Sequence, residues 1–579
     1  MIDKKINALV QSNKKVYLSL FLWSLLFTII SVVAINVSNP PYDYQFHMIR
    51  IIGLADSLKN GDFLPNLNHI FAYGTGYASN MFYGSWQLYL PALVMIIFNN
   101  PITSYTSFAA FSILLTSFST YFSFEKMIKD RYKSFLIALI TPCFFPIFGF
   151  GMTYVVFLVP LLFYAIYKVI YLDKNNPVFL GVVIAILVQT HTLSTLILGF
   201  ISLVFVLFNV KRLTLRYFLS FSLSLILAIF LSSGYIFQYI EQVKSQHFYF
   251  SWTTRDFPVA RELLFNLDNG FNSGFSSLKS NYDLLLKVFF IYFIIKFKSL
   301  KNISKTVLLT ILIVYLSMTK ILPWYGSLRY TFLGTLQYTE RLYFFLPILL
   351  LMVIGIELHS KFLKPLLISV VAFYLLIPIF KMSVWHYSSS MLRMKDNSDR
   401  ITQMYHHSNS QFASPSGDEY YTLDINHDNV RNPNFGNFSQ VNNVLITNVS
   451  KKYNRLEFDY KIINEDQEAS VILPKIWYKG YRADYSNNGK GSQPYLDKRN
   501  RTDDEINQMK KLSMPYVSSQ KVLNDGKIKL SFQKSGHVSI FYKKTTVQKI
   551  GYGLELMSWT FLIVIVYLKR IKYNSYFND

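Results

Sequence analysis

The chain has 579 residues, of which 52% are hydrophobic and only 16% charged, and its mean hydropathy is +0.27. Soluble domains carry about 25% charged residues, so most of the chain is not an ordinary soluble domain. The formal net charge is +24, yet Lys and Arg gather largely in short loops between apolar runs, where a membrane protein places cytoplasmic charge, and a nucleic-acid partner is excluded. The remaining basic residues decorate a polar domain, where they suit anionic lipid or an anionic polymer. The one cysteine, Cys143, rules out an internal disulfide.

The start, MIDKKINALVQSNKK, leads into a long apolar run without a small-residue cleavage site and reads as a retained signal-anchor. A membrane span needs about 20 predominantly apolar residues. The candidate spans are 17–37, 84–98, 101–123, 134–150, 153–171, 177–190, 192–209, 217–239, 283–297, 305–322, 341–357, 363–381 and 549–568. Several are short for a full crossing, and short or broken segments are tolerated where protein or water satisfies the backbone. The basic loops set the orientation. Lys4, Lys5, Lys14 and Lys15 are expected inside, as are Lys211, Arg212 and Arg216, then Lys296, Lys298, Lys301 and Lys305, and the tail residues Lys569, Arg570 and Lys572. Counting back from the tail puts 240–282, 323–340 and 384–548 outside. Counting forward from an inner N-terminus, with 38–80 outside, twelve full crossings in all put 384–548 inside. One re-entrant segment or one further crossing reconciles the two counts, and the short 84–98 stretch, interrupted by Pro91, is the candidate.

Residues 384–548 change character. Leu456, Phe458 and Tyr460 alternate with polar partners, as do Ile528, Leu530 and Phe532, and Val538, Ile540 and Tyr542. Period two marks half-buried strands, and Asn488-Gly489 and Asp525-Gly526 supply turn signals. The expected fold is therefore a polytopic α-helical membrane protein of about 11–14 spans. Residues 1–383 form the multi-span domain with an outer first loop at 38–83. Residues 384–548 form a mostly-β, sandwich-like extracytoplasmic domain, and 549–579 hold the last transmembrane helix and a cytoplasmic tail.

The first outer segment carries the chemistry. After Pro40 and Pro41, which suit a first helical turn, Asp43, His47 and Arg50 are spaced i, i+4, i+7 on one helical face. A carboxylate, an imidazole and a guanidinium together suit transfer at a lipid phosphate: the acid accepts a proton from an attacking hydroxyl and the Arg forks onto phosphate oxygens. The same face also fits a solvated helix with Asp43 as a dipole partner. Asp56 and Asp62 are assigned to a helix surface and to the turn Asn60-Gly61-Asp62. The run Tyr73-Gly74-Thr75-Gly76-Tyr77 is a tight loop with aromatic walls, where glycines either admit a ligand or simply make a turn.

Taken together, the Asp after the first span, the His and Arg on its face, GDFLP, the Tyr/Gly-rich loop and YLPA resemble the C-type membrane glycosyltransferases, and among them the YfhO-like bacterial membrane proteins. The stretch LPWYGSLRYTFLGTLQYTERLYFFLPILL and the outer-domain run Trp477-Tyr478-Lys479-Gly480-Tyr481-Arg482-Ala483, followed by Gly536-His537 before the final strand, extend the resemblance over most of the chain. It implies an enzyme that takes sugar from a polyprenyl-phosphate-linked donor outside the cell membrane and gives it to a glycolipid, cell-wall polymer or polysaccharide acceptor. The expected catalytic carboxylate maps to Asp43. Paired acids found in oligosaccharyltransferase-like members are replaced here by Asp43-Tyr44-Gln45, which favours a single base without a required cofactor. A divalent metal shared by Asp43 and His47 is the alternative.

Further candidates for substrate binding, besides His47, Arg50, Tyr73 and Tyr77, are Trp252, Arg255 and Asp256 in SWTTRDF, Gln337, Glu340 and Arg341 at the start of a span, and His191 in QTHTLST. Each has a plainer role open to it: loop capping, an interfacial Glu340/Arg341 anchor, or a structural histidine satisfied by Thr190 and Thr192. Trp477 stacks on a sugar or fills a β core. The cluster Glu125, Lys126, Lys129, Asp130, Arg131 and Lys133 reads as a solvated cytoplasmic loop. Two other functions remain open, a flippase for a lipid-linked saccharide and a non-catalytic assembly protein of the cell envelope.

Overall fold

The computed structural model describes residues 2–35, 44–145, 151–173, 177–246, 276–319, 321–324, 327–336, 338–384, 420–422, 432–486 and 526–575, together with Phe248, Ile425 and Val430. Its helices in chain order are α1 (Ile2–Val10), α2 (Asn13–Ile35), α3 (Tyr44–Lys59), α4 (Ser79–Phe82), α5 (Tyr89–Phe98), α6 (Pro101–Ile128), α7 (Arg131–Ile140), α8 (Leu158–Tyr171) and α9 (Pro177–Thr190). They continue as α10 (Thr192–Leu207), α11 (Leu215–Leu231), α12 (Ser233–Ser245), α13 (Ser276–Ile295), α14 (Asn302–Ser317), α15 (Leu346–Glu357), α16 (Ser360–Val384) and α17 (Thr546–Ser575). Seven strands lie between the last two: β1 (Ser439–Asn442), β2 (Val444–Lys452), β3 (Arg455–Ile462), β4 (Ala469–Ile476), β5 (Tyr481–Ser486), β6 (Lys527–Phe532) and β7 (Gly536–Tyr542).

Among the described residues, three helical stretches are long and apolar enough to cross a membrane: Asn13–Ser31, Pro101–Ile128 and Thr546–Leu568. The expected single run 217–239 is not one helix. It breaks at Ser232, whose φ of −124° and ψ of 19° leave the helical region, and α11 and α12 meet at 75°. Counted as one bent span, the pair makes a fourth. Most of the other expected spans form apolar helices of 10–17 residues. The α5 helix has 10 residues, and at about 1.5 Å per residue it covers only half of a ~30 Å hydrocarbon core.

The chain divides into two compact units. One holds residues 1–48, 97–226 and 252–402; the other holds 49–96, 227–251 and 403–579.

In the first unit, local signals set the helix ends. Asn100 caps α6 by accepting from the backbone N–H groups of Ile102 and Thr103, with Pro101 in the first turn. Lys129 ends the helix at φ 60°, and Asp130 caps α7 through the Lys133 N–H. The expected charged loop is thus a two-residue helix–helix turn, in which Glu125 lies 3.1 Å from Lys126 and 3.3 Å from Arg131. The α15 helix is buried at every residue from Leu346 to Ile356. Its Gly355 sits so close to α6 and α7 that a Cβ would fall 2.4 Å from Ile128 and 2.6 Å from Ile137. Glu357, at its end, caps α14 by accepting from the Lys301 N–H at 3.0 Å and the Ser304 hydroxyl at 2.6 Å. The outer faces of α2 and α11 are apolar, with Leu18, Leu22, Ile29, Leu215, Phe218 and Leu219 exposed, a pattern that marks a lipid or protein partner.

In the second unit, two antiparallel sheets pack face to face, ordered β1-β4-β6 and β2-β3-β7-β5. The alternating positions carry the core: Leu456, Phe458 and Tyr460 of β3 and Val538, Ile540 and Tyr542 of β7 all point inward. Tyr460 stacks on Phe532 of β6 at 3.9 Å between the sheets. The buried aromatic after β4 is Tyr478, whereas Trp477 is half-buried. Helices α12 and α17 pack through small residues. Ser233 Oγ donates to the Gly551 carbonyl at 2.9 Å, Glu555 accepts from the Gly234 N–H at 2.9 Å, and Trp559 donates to the Leu231 carbonyl at 2.9 Å. Beyond this seam α17 exposes Leu556, Met557, Phe561, Ile563 and Val566.

Candidate functional site

The α3 helix brings the first candidates into the interior. His47 is 1% and Arg50 2% exposed, so a solvated polar face is not what the sequence makes here. The His47 ring meets the edge of Tyr154 at 4.7 Å within the first unit. Arg50 belongs to the second unit. Its Nη2 donates to the Gly84 carbonyl at 2.8 Å and the Tyr83 carbonyl at 3.3 Å, and its guanidinium lies 5.0 Å over the Tyr83 ring. A buried guanidinium needs such carbonyl and π partners to offset its lost hydration. Asp43 lies outside the described residues.

Downstream, the chain doubles back in a short loop closed by Asn68 and Tyr77, whose backbones exchange hydrogen bonds of 2.9 and 3.0 Å. Between them Ala72, Tyr73, Gly74 and Gly76 take φ values of 52°, 58°, 81° and 92°. That left-handed run is what Gly74 and Gly76 are needed for. Asn68 anchors the loop to α3 by donating to the Ile49 carbonyl at 3.3 Å, and a Cβ at Gly53 would strike it at 2.2 Å.

Tyr77 is buried and packs on Tyr421 at 4.7 Å and on Tyr420 at 6.3 Å. Tyr420 also stacks on Phe82 at 4.7 Å and meets Tyr83 at 5.7 Å. Arg50 and Tyr77 are therefore joined through Tyr83 and Tyr420. Tyr73 is half-buried, and its carbonyl lies against Gly436, where a Cβ would approach it to 2.6 Å.

The sequence reading missed the residues that hold this loop. The end of β4 docks on it: the Ile476 N–H donates to the Thr75 carbonyl at 3.1 Å and Lys475 Nζ to the Gly74 carbonyl at 2.8 Å. Tyr453, in the β2–β3 turn, donates to Ser57 Oγ at 2.7 Å and to Asp62 at 3.2 Å, and Lys544 lies 3.5 Å from the same carboxylate. Asp62 is therefore a tie to the β region as well as a turn residue. Burial, the carboxylate of Asp62 and its surroundings raise the Tyr453 phenol pKa. His69 packs edge-on to Tyr453 at 4.7 Å. Burial, with Lys475 and Lys544 nearby, pushes its imidazole pKa well below the ordinary range, so it is neutral near pH 7. Burial, with Lys451 nearby, brings Lys475 down to about 8.

The other candidates are dispersed. His191 caps α10: its Nδ1 accepts from the Ser194 N–H at 3.2 Å and lies 2.7 Å from the Ser194 hydroxyl, which puts the ring proton on Nε2. Arg341 is half-buried, donates to the Leu336 carbonyl at 3.3 Å and lies 5.4 Å over Tyr338. Trp252, Arg255, Asp256 and Gln337 lie outside the described residues, as does the side chain of Glu340. Among the described residues no three His, Cys, Asp or Glu side chains are grouped to hold a metal ion. At the root of α17, Glu241 accepts from the Thr545 hydroxyl at 2.6 Å and lies 3.7 Å from Lys479, beside an open groove lined by Ile240, Lys244 and Val547.

No protein-family model matches the chain, and no curated protein matches it.

Proposed function

We propose that the chain is a membrane glycosyltransferase that moves a sugar from a polyprenyl-phosphate-linked donor to an extracytoplasmic glycolipid, cell-wall polymer or polysaccharide. The observation that carries this reading is Arg50. A guanidinium 2% exposed sits on the helix that follows the first long apolar helix, beside a chain of tyrosines that leads to a strained glycine loop. A buried cation suits a lipid phosphate, and tyrosine rings suit the faces of a sugar. The resemblance of this segment to the C-type glycosyltransferases supports the same assignment.

In this reading Asp43 takes the proton from the acceptor hydroxyl as its oxygen attacks the anomeric carbon. The bond from that carbon to the phosphate oxygen breaks, and the polyprenyl phosphate departs with the electron pair. Arg50 stabilises the departing anion, and one displacement inverts the anomeric centre. Little acid catalysis is needed for a phosphate leaving group, so positioning supplies much of the rate. The polytopic arrangement of about 11–14 spans, with the β region on the outer face of the cell membrane, belongs to the same proposal. Its test is transfer of radiolabelled sugar from polyprenyl-phosphate donors to membrane acceptors. Wild-type transfer lost in Asp43→Asn, which keeps shape and removes the base, supports the reading. Equal transfer in both moves the base elsewhere.

The break between α11 and α12 favours a second reading, because transporters for polar substrates use broken helices to line a cavity. Translocation of a lipid-linked saccharide in vesicles without sugar transfer would select it.

A further inference from the structure

The second unit contains two lysines that neither reading uses. Lys475 is 8% exposed, on a strand whose every residue is buried. Its ammonium donates to the Gly74 carbonyl at 2.8 Å and, among the described residues, makes no ion pair. Lys451, on β2, is exposed; its ammonium donates to the Gly436 carbonyl at 3.0 Å and, among the described residues, meets no carboxylate. Those two carbonyls belong to loops that abut, because Gly436 rests on Tyr73, the neighbour of Gly74. The lysines are close enough for Lys451 to depress the proton affinity of Lys475.

A buried ammonium such as that of Lys475, held near a second cation without an acid, is costly, since buried charges are ordinarily paired. Each has one hydrogen bond to a carbonyl and two further N–H donors. The polar groups around the same loop extend the pattern. Tyr481 is 1% exposed, its hydroxyl has no hydrogen-bond partner among the described residues, and it lies 3.5 Å from where a Cβ on Gly76 would be. His69 is 7% exposed, and among the described residues its Nδ1 likewise has no hydrogen-bond partner. Within this group the charge is all positive and the buried hydroxyl is a donor in waiting.

We infer that Lys451, Lys475 and Tyr481, grouped around the 72–76 loop, form a binding site for a phosphate-type oxyanion. Lysine is a point-charge phosphate ligand, and an anion between Lys451 and Lys475 supplies the missing counter-charge and accepts from their free donors. Tyr73 and Gly74, half-buried, are the approach to the site. The site is independent of the transferase reading, because it needs neither Asp43 nor sugar transfer. Free phosphate, a soluble phosphodiester polymer and a lipid headgroup share this chemistry.

The test uses the purified full-length chain in a neutral detergent. Its thermal unfolding midpoint is followed against added inorganic phosphate, with chloride at matched ionic strength as control. A saturable rise with phosphate and none with chloride is expected. Lys451→Met/Lys475→Met should abolish the rise. Should that variant fold poorly, Tyr481→Phe is the milder change and should weaken phosphate binding several-fold. A wild-type midpoint that ignores phosphate, or a rise of equal size in the folded variants, overturns the site. Glycerophosphoglycerol in solution and phosphatidylglycerol in nanodiscs then separate the sources: a response to the former identifies a polymer-type phosphodiester, and a response to the latter alone identifies a headgroup.

Discussion

Replacing Lys475 with methionine gives a prediction opposite to what a lost hydrogen bond suggests. The side chain is 8% exposed, and its proton affinity falls from 10.5 to about 8 in the folded chain. A lysine depressed in this way is protonated in both states below about 8, so the folded state there carries the full penalty of the buried charge. Between about 8 and 10.5 the unfolded chain binds one more proton than the folded chain, and stability rises with pH. At about 1.36 kcal/mol per pH unit the displacement is worth ~3 kcal/mol. Methionine removes that penalty at every pH. It also leaves the Gly74 carbonyl without its donor, which costs about 1–3 kcal/mol. Near pH 7 the two effects oppose, and the Lys475→Met variant should lie within about 2 kcal/mol of wild type. The pH dependence is the decisive readout. Thermal unfolding in detergent from pH 7 to pH 10 should show wild type gaining on the variant as the solution becomes alkaline. Parallel pH profiles for the two proteins would refute the argument, because they would mean that the ammonium is hydrated or paired in the folded chain.

Gly551→Leu should lower the unfolding midpoint by an amount equivalent to about 1–3 kcal/mol, because even a Cβ there lies 3.0 Å from the Ser233 carbonyl oxygen on α12; Gly551→Ala should cost less in the same melt. Gly436→Ala should destabilise by a similar ~1–3 kcal/mol, since the new methyl meets the Tyr73 carbonyl at 2.6 Å, and a change in Tyr73 accessibility to chemical labelling should accompany it. Tyr453→Phe should cost only ~1 kcal/mol, because Ser57 still donates to the Gly53 carbonyl at 2.8 Å and Asp62 keeps Lys544 at 3.5 Å; denaturant unfolding measures it. Asn100→Ala should cost ~1 kcal/mol through the lost cap of α6, with no effect on the pH profile described for Lys475.

How far these features were legible in the sequence depended on whether their pattern was local. The alternation in β3, β6 and β7 identified strands directly, because one face of each carries the apolar residues that meet the opposite sheet and the other carries mostly polar residues. The β4 strand is buried at every position, so its residues carry no alternation to read, and the important Lys475 is hidden in it. The β2 strand is mostly exposed and gives the converse difficulty. Apolar runs located the helices, but hydropathy does not measure where a helix stops. The break at Ser232 lies inside a run that reads as continuous, and its small residues are explained by the close approach of α17, more than 300 positions away. The Tyr/Gly loop was legible as a loop from its glycines. Its partners were not, because Lys475, Tyr453 and Gly436 are hundreds of positions away and leave no mark near residue 74. Arg50 and His47 were read as a face of a helix, but their burial comes from Tyr83 and Tyr154, which the spacing in α3 does not encode.

The second unit draws on three separated stretches, 49–96, 227–251 and 403–579. During synthesis the first of these is made long before its partners. The donor for Asp62 from Tyr453, and the bond to Gly74 from Lys475, come only after some 400 further residues have left the ribosome. Elongation at about 5–20 residues per second makes that an interval of tens of seconds. Through it the early segment has its glycine loop without the strand that clasps it. The α17 helix supplies Gly551 and Glu555 to α12 and Trp559 to the end of α11, so this unit can close only once α17 has been made. A chain cut short before residue 546 therefore loses more than an apolar helix: it loses a segment that packs against stretches made hundreds of residues earlier.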